Sequence, residues 1–252
     1  FMEDLDSFNA MYGIVNAFDL PLSCVGDSEA RITSKVLGCQ HHDWDDEFDF
    51  EFESCLQISK YSAVIDWFKS QVGNPKHLPS GIYYKQSFII EVAGIPHTFG
   101  FGGLHGAPGV IKEKKDSKSG QMMKCIESTP AYYEGAIFHV DVNNYYPSYL
   151  LAHGKVTRSA TNDNYALVYK TRKELKYKQT HAATKDESKK FKKAQLPYKK
   201  LLNALSGAMK DKTNAAYDPR NNNSMCINGQ LMLLDLIEHL EVIPGFILIQ
   251  SN

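Results

Sequence analysis

The stretch FHVDVNNYYPSYL, Phe138 to Leu150, is the point from which the rest of the chain is best interpreted. An apolar run at residues 136–142 carries one carboxylate, Asp141, near its end, and two tyrosines and Pro147 follow. The sequence therefore predicts a strand that ends in an acid and turns directly into a helix. Such a turn can offer carboxylate oxygens to Mg²⁺ and backbone N–H groups to phosphate.

Composition sets limits on the class of protein. With 252 residues, 43% hydrophobic and 23% charged, the chain is typical of a soluble protein with one large or two ordinary domains. It contains no run of 18 apolar residues, so we expect no membrane partner. No signal peptide opens the chain, and Phe1 before Met2 favours a fragment or a tag remnant. The five cysteines never form Cys-x-x-Cys, which predicts reduced thiols in a cytoplasmic protein.

The net charge of −1 conceals a strong asymmetry along the chain. Residues Lys155–Lys212 hold 16 Lys and Arg against 5 Asp and Glu, whereas the rest of the chain holds 12 basic and 24 acidic residues. A solvated helix pair with many salt bridges is the simpler explanation. The excess is of one sign rather than alternating, however, and this favours a polyanionic partner for the basic segment.

Residues 1–79 are predicted to be mainly helical and acidic. Helices are expected up to Pro21, after Asp27, and before the Gly73–Pro75 breaker. The dense carboxylates of Asp43–Glu53 allow either a metal site or a solvated linker. Their alternation with aromatic residues, without ligand-like spacing, favours the linker.

Residues 80–154 carry a strand pattern. A hairpin is predicted with its turn at Gly94–Pro96, followed by the glycine-rich stretch Gly100–Gly109, where the backbone can approach a ligand or another chain closely. Within it, His105 is either a ligand or base, or more simply a structural residue in a tight loop. Lys112–Gln121 is predicted to be a polar loop.

Residues 155–215 are predicted to form a basic helical hairpin, with Pro197 breaking or kinking its second helix. In residues 216–252, a loop at Tyr217–Asn223 precedes an amphipathic core helix, and Phe246–Asn252 begins a new strand. These patterns together predict an α+β fold, in which helices pack on an antiparallel sheet and a helical hairpin is inserted.

Two motifs now carry a resemblance to a known family. The stretch DVNNYYPSYL resembles the first catalytic motif of family B DNA polymerases, DxxSLYPS. It matches at Asp141, Tyr146, Pro147 and Ser148, and it departs at Asn144 and Tyr145. The stretch KKLLNALSG resembles the second motif, KxxxNSxYG. It matches at Lys199, Asn203 and Gly207, and it departs at Ala204 and Ser206.

The order of the surrounding segments is similar to that of phage-type members of the family. GGLHG precedes the first motif, and YDPR, INGQLMLLDLIEHLE and FILIQSN follow the second in that order. The resemblance covers roughly Ile82 to Asn252. It implies that residues 80–154 are the first part of an antiparallel palm with a catalytic strand, 155–215 are the fingers, and 216–252 are a palm helix and the next catalytic strand, after a linker at 1–79.

The resemblance implies nucleotidyl transfer with two Mg²⁺ ions, with primer–template DNA and a dNTP as partners. Asp141 would be the catalytic and metal-binding carboxylate, with the Val142 carbonyl as an extra metal ligand. The expected nucleotide-binding residues are Val142, Asn143, Asn144, Tyr145, Tyr146, Arg172, Lys176, Lys199 and Asn203. The expected DNA-binding residues are Gly102, Gly103, Gly207 and Lys210.

Individual roles follow from the same resemblance. Tyr146 would pack under the sugar and exclude a 2′ hydroxyl, although a plain core aromatic is the simpler explanation. Asn203 and Gly207 would form the floor under the new base pair. For Asp141, capping of the following helix is the simpler alternative.

We expect this chain to be a partial polymerase, acting in the cytoplasm of a host or virus-infected cell. The second catalytic carboxylate would lie just beyond Asn252, and it and the thumb would come from a missing segment or a second chain. The chain alone is then expected to be inactive or nearly so. Two alternatives stay open: a non-catalytic nucleic-acid-binding module, and a two-metal nuclease that uses Asp141 with Asp43–Glu53.

Overall fold

The computed structural model describes residues 2–72, 87–115, 120 and 122–252, and the side chains among them from Phe8 onward. Helices and small antiparallel sheets are mixed within these ranges, which confirms the predicted α+β class. The chain divides into two compact units, Phe1–Asp45 with Asn143–Asn222, and Asp46–Val142 with Asn223–Asn252. The four predicted regions do not coincide with these units, and their assignment to linker, palm and fingers stays a prediction. None of the described helices is both long and apolar enough to cross a membrane.

The helices of the described residues are α1 (Met2–Ala17), α2 (Glu29–Val36), α3 (Ser62–Gln71), α4 (Tyr145–Ala152), α5 (Asn164–Thr180), α6 (Lys185–Lys210) and α7 (Pro219–Leu240). A short 3₁₀ helix spans Leu22–Gly26. The strands are β1 (Ser87–Val92), β2 (Ile95–Gly100), β3 (His105–Gly106), β4 (Gly109–Lys115) and β5 (Met122–Ser128). They form an antiparallel sheet in the order β1-β2-β3 and an antiparallel β4-β5 pair.

The first unit is helical, and the C-terminal half of α6 packs into its core. One side of that half is buried through Leu201, Leu202 and Leu205, whereas Lys199 and Lys210 are exposed. The Thr33 hydroxyl of α2 and the Tyr165 hydroxyl of α5 donate to the carbonyls of Leu201 and Leu202, at 3.3 and 3.1 Å. The helices α5 and α6, which cover the predicted basic helical hairpin, pack against each other here, and their assignment as an inserted subdomain stays a prediction.

The second unit packs α3 and α7 with the three-stranded sheet around an aromatic core. Leu231, Leu234 and Ile237 of α7 share this core with Phe68 and Phe99. The apolar face predicted for α7 is thus buried, except that Leu236 is exposed.

The acidic segment before α3 packs along α7 rather than forming a free linker. Asn228 accepts a hydrogen bond from the backbone N–H of Glu53 and donates to the carbonyl of Glu51, at 2.9 and 2.7 Å. Because the chain is extended here, alternate residues face opposite sides. Phe48 and Phe50 consequently point into the core.

The predicted strand at residues 136–142 is wrong. The structure shows no regular secondary structure between 129 and 142, and Ile137, Phe138 and Val140 are exposed. A strand is stabilised through hydrogen bonds to a neighbouring strand, and no described strand pairs with this run. The strand predicted for Phe246–Asn252 is also absent, for the same reason. Of this segment only Ser251 pairs with another strand, through an isolated β-bridge to Gly106.

Four local predictions also need correction. The hairpin turn lies at Ala93–Gly94, not at Gly94–Pro96, because both residues have positive φ angles (48° and 82°), as a two-residue turn with this twist requires. The supposed polar loop at Lys112–Gln121 begins inside β4, because residues 112–115 are polar but pair with β5.

The other two corrections concern helices. The supposed loop at Tyr217–Asn223 already contains the first turn of α7, which starts at Pro219, a residue suited to a first helical position. Pro197 does not break α6, which continues from Lys185 to Lys210. The predicted Gly73–Pro75 breaker, the 79/80 boundary and the start of the first strand lie outside the described residues.

Candidate functional site

The turn before α4 is formed by two asparagines. Asn144 adopts a left-handed conformation (φ 57°, ψ 45°), which asparagine tolerates better than most residues, and it precedes the first residue of α4. The Ser148 N–H donates to the Asn144 carbonyl at 3.0 Å and closes the first turn. The positive end of the α4 peptide dipoles therefore lies at this turn, which favours negatively charged groups.

Two cations from α5 meet the side chains of this turn. Lys176 Nζ donates to Asn143 Oδ1 at 3.0 Å, and Arg172 Nη1 donates to Asn144 Oδ1. Arg172 and Lys176 are four residues apart and therefore project from the same face of α5. The structure thus brings together four of the predicted nucleotide-binding residues within one unit.

Arg172 is unusual among the cations of this region because only 7% of it is exposed. Its Nε is buried and makes no hydrogen bond to any described residue. Burial lowers the pKa of its guanidinium group, but an arginine remains charged at neutral pH. A buried cation with a free donor at the start of a helix is a suitable partner for an anion.

The tyrosine rings of α4 pack against one another, Tyr145 and Tyr146 edge to face. The Tyr146 ring lies against Tyr145 at a centroid distance of 5.6 Å, and Tyr145 lies against the buried Tyr149 at 5.7 Å. Tyr146 is 41% exposed and is therefore not a plain core aromatic. Its predicted role under a sugar stays a prediction.

The predicted residues of α6 form a separate surface. Lys199, Asn203, Gly207 and Lys210 are all exposed and recur every three or four residues, so they share the side opposite the buried leucines. A Cβ at Gly207 would meet nothing within 4 Å, so there is room for another molecule over this position. The hydrogen bonds to Asn143 and Asn144 come from α5, not from α6.

Asp141 and Val142 belong to the other unit, together with Gly102 and Gly103. Both Asp141 and Val142 are exposed and lie in the irregular segment before the turn. Gly103 has a φ of 139°, which favours glycine, whereas Gly102 needs no such freedom. The DNA-binding role predicted for the two glycines stays a prediction.

The residues present fit the implied magnesium centre only in part. Across the part of the chain that the structure describes, no three His, Cys, Asp or Glu side chains lie together as metal ligands would. A Mg²⁺ ion is often held by one or two carboxylates together with substrate phosphates, so Asp141 qualifies as one ligand. A two-metal centre needs a second carboxylate beside Asp141. The binding of magnesium therefore remains a prediction.

Sequence reasoning missed several contacts that shape these surfaces. Ser148 of α4 and Tyr169 of α5 share a hydrogen bond of 3.1 Å beside the asparagine turn. His97 and Ser251 pair at 2.6 Å although they are 154 positions apart. No local sequence signal marks these pairs, whereas the Asp-Pro dipeptide at Asp218 could have marked the start of α7.

Comparison with protein-family models, with curated proteins and with solved structures finds no match to this chain.

Proposed function

We propose that the chain is part of a template-directed DNA polymerase of the family B type, and that its first unit binds the triphosphate of the incoming dNTP. The observation that carries the proposal is the meeting of Arg172 and Lys176 with Asn143 and Asn144 at the start of α4. Asn143 and Asn144 lie in the first of the two motifs, Arg172 and Lys176 lie in the basic helical hairpin, and the resemblance to the family implies nucleotide binding for all four.

The chemistry of this turn suits a polyphosphate. Arginine offers a planar fork of donors to phosphate oxygens, and lysine offers a point charge. In the structure, the side-chain amide oxygens of Asn143 and Asn144 accept the hydrogen bonds of Lys176 and Arg172 that phosphate oxygens would accept in a complex. A triphosphate would replace these neutral acceptors with charged ones, and the α4 dipoles would add to the attraction.

Nucleic-acid binding is supported by the charge of the same unit. The 16 basic residues of Lys155–Lys212 lie mainly on α5 and α6. The exposed row Lys199, Asn203, Gly207 and Lys210 offers cations together with an open backbone position. We propose that this row contacts the primer–template, with the nucleotide at the asparagine turn.

Magnesium, when bound, would neutralise the triphosphate and activate the primer hydroxyl. Asp141 and the Val142 carbonyl are the ligands proposed for it. Because a single carboxylate holds two Mg²⁺ ions weakly, we expect these residues to support nucleotide binding but to extend a primer poorly or not at all.

The test is nucleotide binding by isothermal titration calorimetry with dATP and Mg²⁺. We expect Lys176→Gln to weaken dATP binding about tenfold, which corresponds to about 1.4 kcal/mol. The matched control is Lys178→Gln, an exposed lysine on the same helix, which should leave the affinity unchanged. Equal losses from both variants, or dATP binding that Lys176→Gln does not alter, would overturn the assignment of the site.

A second candidate is a non-catalytic nucleic-acid-binding module, favoured by the position of Asp141 in an exposed, irregular segment. Titration of Mn²⁺ in the presence of dATP separates the two proposals. If the chain is a polymerase, Asp141→Asn should bind Mn²⁺ more weakly than the original protein. If it is a non-catalytic module, the original protein and Asp141→Asn should have the same Mn²⁺ affinity.

A further inference from the structure

The C-terminal end of α5 carries an aromatic pair that the proposed function does not use. The rings of Tyr177 and His181 are stacked, with centroids 4.0 Å apart and planes inclined by 25°. Tyr177 is 64% exposed, and His181 is exposed as well. A large aromatic ring left in water contributes little to the core, and its outer surface is open to contact with another molecule.

The pair is held in place by the end of the helix. The His181 backbone N–H donates to the Tyr177 carbonyl at 3.1 Å, and His181 Nδ1 lies 2.9 Å from the same oxygen. The Thr180 hydroxyl adds contacts of 2.9 Å to the Tyr177 carbonyl and 3.0 Å to His181 Nδ1. Because these contacts fix the imidazole on which the Tyr177 ring stacks, binding of a flat ligand would cost little additional side-chain entropy.

The surroundings of the pair are basic. From Lys173 to Lys193 the sequence holds eight lysines against three carboxylates. Glu187, one of these carboxylates, accepts from the Ala183 N–H at 3.0 Å as part of the α6 cap. Another, Asp186, lies 3.8 Å from Lys189. A net positive charge thus surrounds an exposed aromatic surface.

From this arrangement we propose that the Tyr177–His181 pair is a stacking platform for an unpaired base of single-stranded nucleic acid, with the neighbouring lysines binding its phosphates. Exposed aromatic rings in a basic surface bind single strands in this way, since every base has a flat face. A base inside a duplex is covered on both faces by its neighbours, so the platform should select single strands. The proposal does not depend on polymerase chemistry.

The experiment measures fluorescence anisotropy with a labelled 12-mer of oligo-dT and with an abasic 12-mer of the same charge. We expect Tyr177→Ala to weaken oligo-dT binding roughly tenfold and to leave abasic binding unchanged. Tyr177→Phe, which keeps the ring, should bind oligo-dT like the original protein. Lys178→Gln should weaken both oligomers alike, because phosphate contacts do not distinguish them.

Tyr12→Ala is the matched control. Tyr12 is also an exposed tyrosine in a stacked pair, with Phe8 at 6.3 Å, but it lies on α1 in an acidic part of the sequence. It should leave oligo-dT binding unchanged. Circular dichroism would show that all variants keep their helix content.

Three results would overturn the proposal. They are an equal loss of oligo-dT and abasic binding in Tyr177→Ala, an equal loss of oligo-dT binding in Tyr12→Ala, and duplex DNA of the same length bound as tightly as oligo-dT. None of them bears on dATP binding at the asparagine turn, so failure here is distinguishable from failure of the proposed function.

Discussion

At the scale of single residues, Asp218 is the most constrained carboxylate of the first unit. It is fully buried and accepts hydrogen bonds from the Arg158 backbone N–H at 2.8 Å and from Nη2 at 2.6 Å. It also accepts from the Asn221 N–H at 3.3 Å in the first turn of α7. Arg158 in turn lies over the Trp44 ring, 4.1 Å from its centroid. One buried charge therefore fixes both a helix start and an arginine.

We expect Asp218→Asn to lower the free energy of unfolding by roughly 3 kcal/mol, because Arg158 would lose the charge of its fully buried partner. Urea denaturation measures the change. Asp211→Asn is the control, since that carboxylate is in an exposed turn with Thr213 and should cost less than about 1 kcal/mol. Similar losses of unfolding free energy in Asp218→Asn and Asp211→Asn would show that the Asp218–Arg158 pair does not contribute more than an exposed carboxylate.

His97 gives a prediction about pH. It is fully buried, with Nδ1 2.9 Å from the Ile95 carbonyl and Nε2 2.6 Å from Ser251 Oγ. Burial lowers its pKa below the ordinary 6.5. As the pH falls below 6.5, His97 becomes protonated in the unfolded chain while it stays neutral in the folded chain. The contribution of His97 to stability is therefore complete above pH 6.5 and is lost progressively below it.

The measurement is a pair of urea titrations at pH 7.5 and pH 5.5, for the original protein and for His97→Gln. The original protein should lose more stability between the two pH values than the variant, because the other titrating groups are common to both. The same loss in both proteins would show that His97 does not titrate in this way.

At the scale of elements, β3 depends on a glycine. Gly106 and Ser251 exchange two backbone hydrogen bonds, at 2.8 and 3.0 Å, which attach Phe246–Asn252 to the edge of the sheet. A Cβ on Gly106 would lie 2.1 Å from His97 Nε2. The close approach of the backbone to the imidazole therefore requires glycine at this position.

Gly106→Ala should destabilise the protein by about 1–3 kcal/mol, because the buried ring of His97 would have to move. In the preceding turn, Gly102→Ala is the matched control, since its Cβ would meet nothing within 4 Å and its φ is not positive. It should change stability by less than about 0.5 kcal/mol. Thermal denaturation of the two variants tests the difference, and equal melting temperatures would refute it.

Helices and strands were predictable where the sequence signals that specify them lie within a few residues of one another. The helices α1, α2, α3 and α5 follow from apolar spacing, caps and breakers, all of which act within a few residues. The hairpin of β1 and β2 was predictable for the same reason, but its turn shifted by one residue. The failed strand at 136–142 had a suitable composition, yet a strand depends on a partner that no local pattern specifies.

At the scale of the whole molecule, charge is the dominant feature, since 16 basic residues fall within Lys155–Lys212. If six of them contact phosphates, the logarithm of the affinity for single-stranded DNA should fall with the logarithm of salt with a slope of about −4. Between 50 and 200 mM NaCl the affinity would then drop roughly a hundredfold or more. Anisotropy titrations at several salt concentrations measure this slope.

The source of the slope can be located with two double variants. Lys189→Gln with Lys190→Gln, on α6, should make the slope less steep by about 0.7 for each phosphate contact removed. Lys114→Gln with Lys115→Gln, on β4, removes the same charge from the other unit and should leave the slope unchanged. A slope that both pairs alter equally would count against the basic hairpin as the DNA-binding element.

The sequence by itself determined the α+β class, most helices, and the concentration of positive charge in one helical hairpin. Through the resemblance to family B polymerases, it also placed Asn143, Asn144, Arg172 and Lys176 among the residues of one proposed site. Hydrophobic spacing, helix caps and charge counts are properties of neighbouring residues, and they can be evaluated along the chain.

Only the tertiary structure decided which distant groups meet. It paired Arg172 with Asn144, 28 positions away, and His97 with Ser251, 154 positions away. It also left the run at 136–142 without a described strand partner and exposed the Tyr177–His181 stack. Contacts between distant residues depend on how helices and strands pack, and many packings are compatible with the same local preferences.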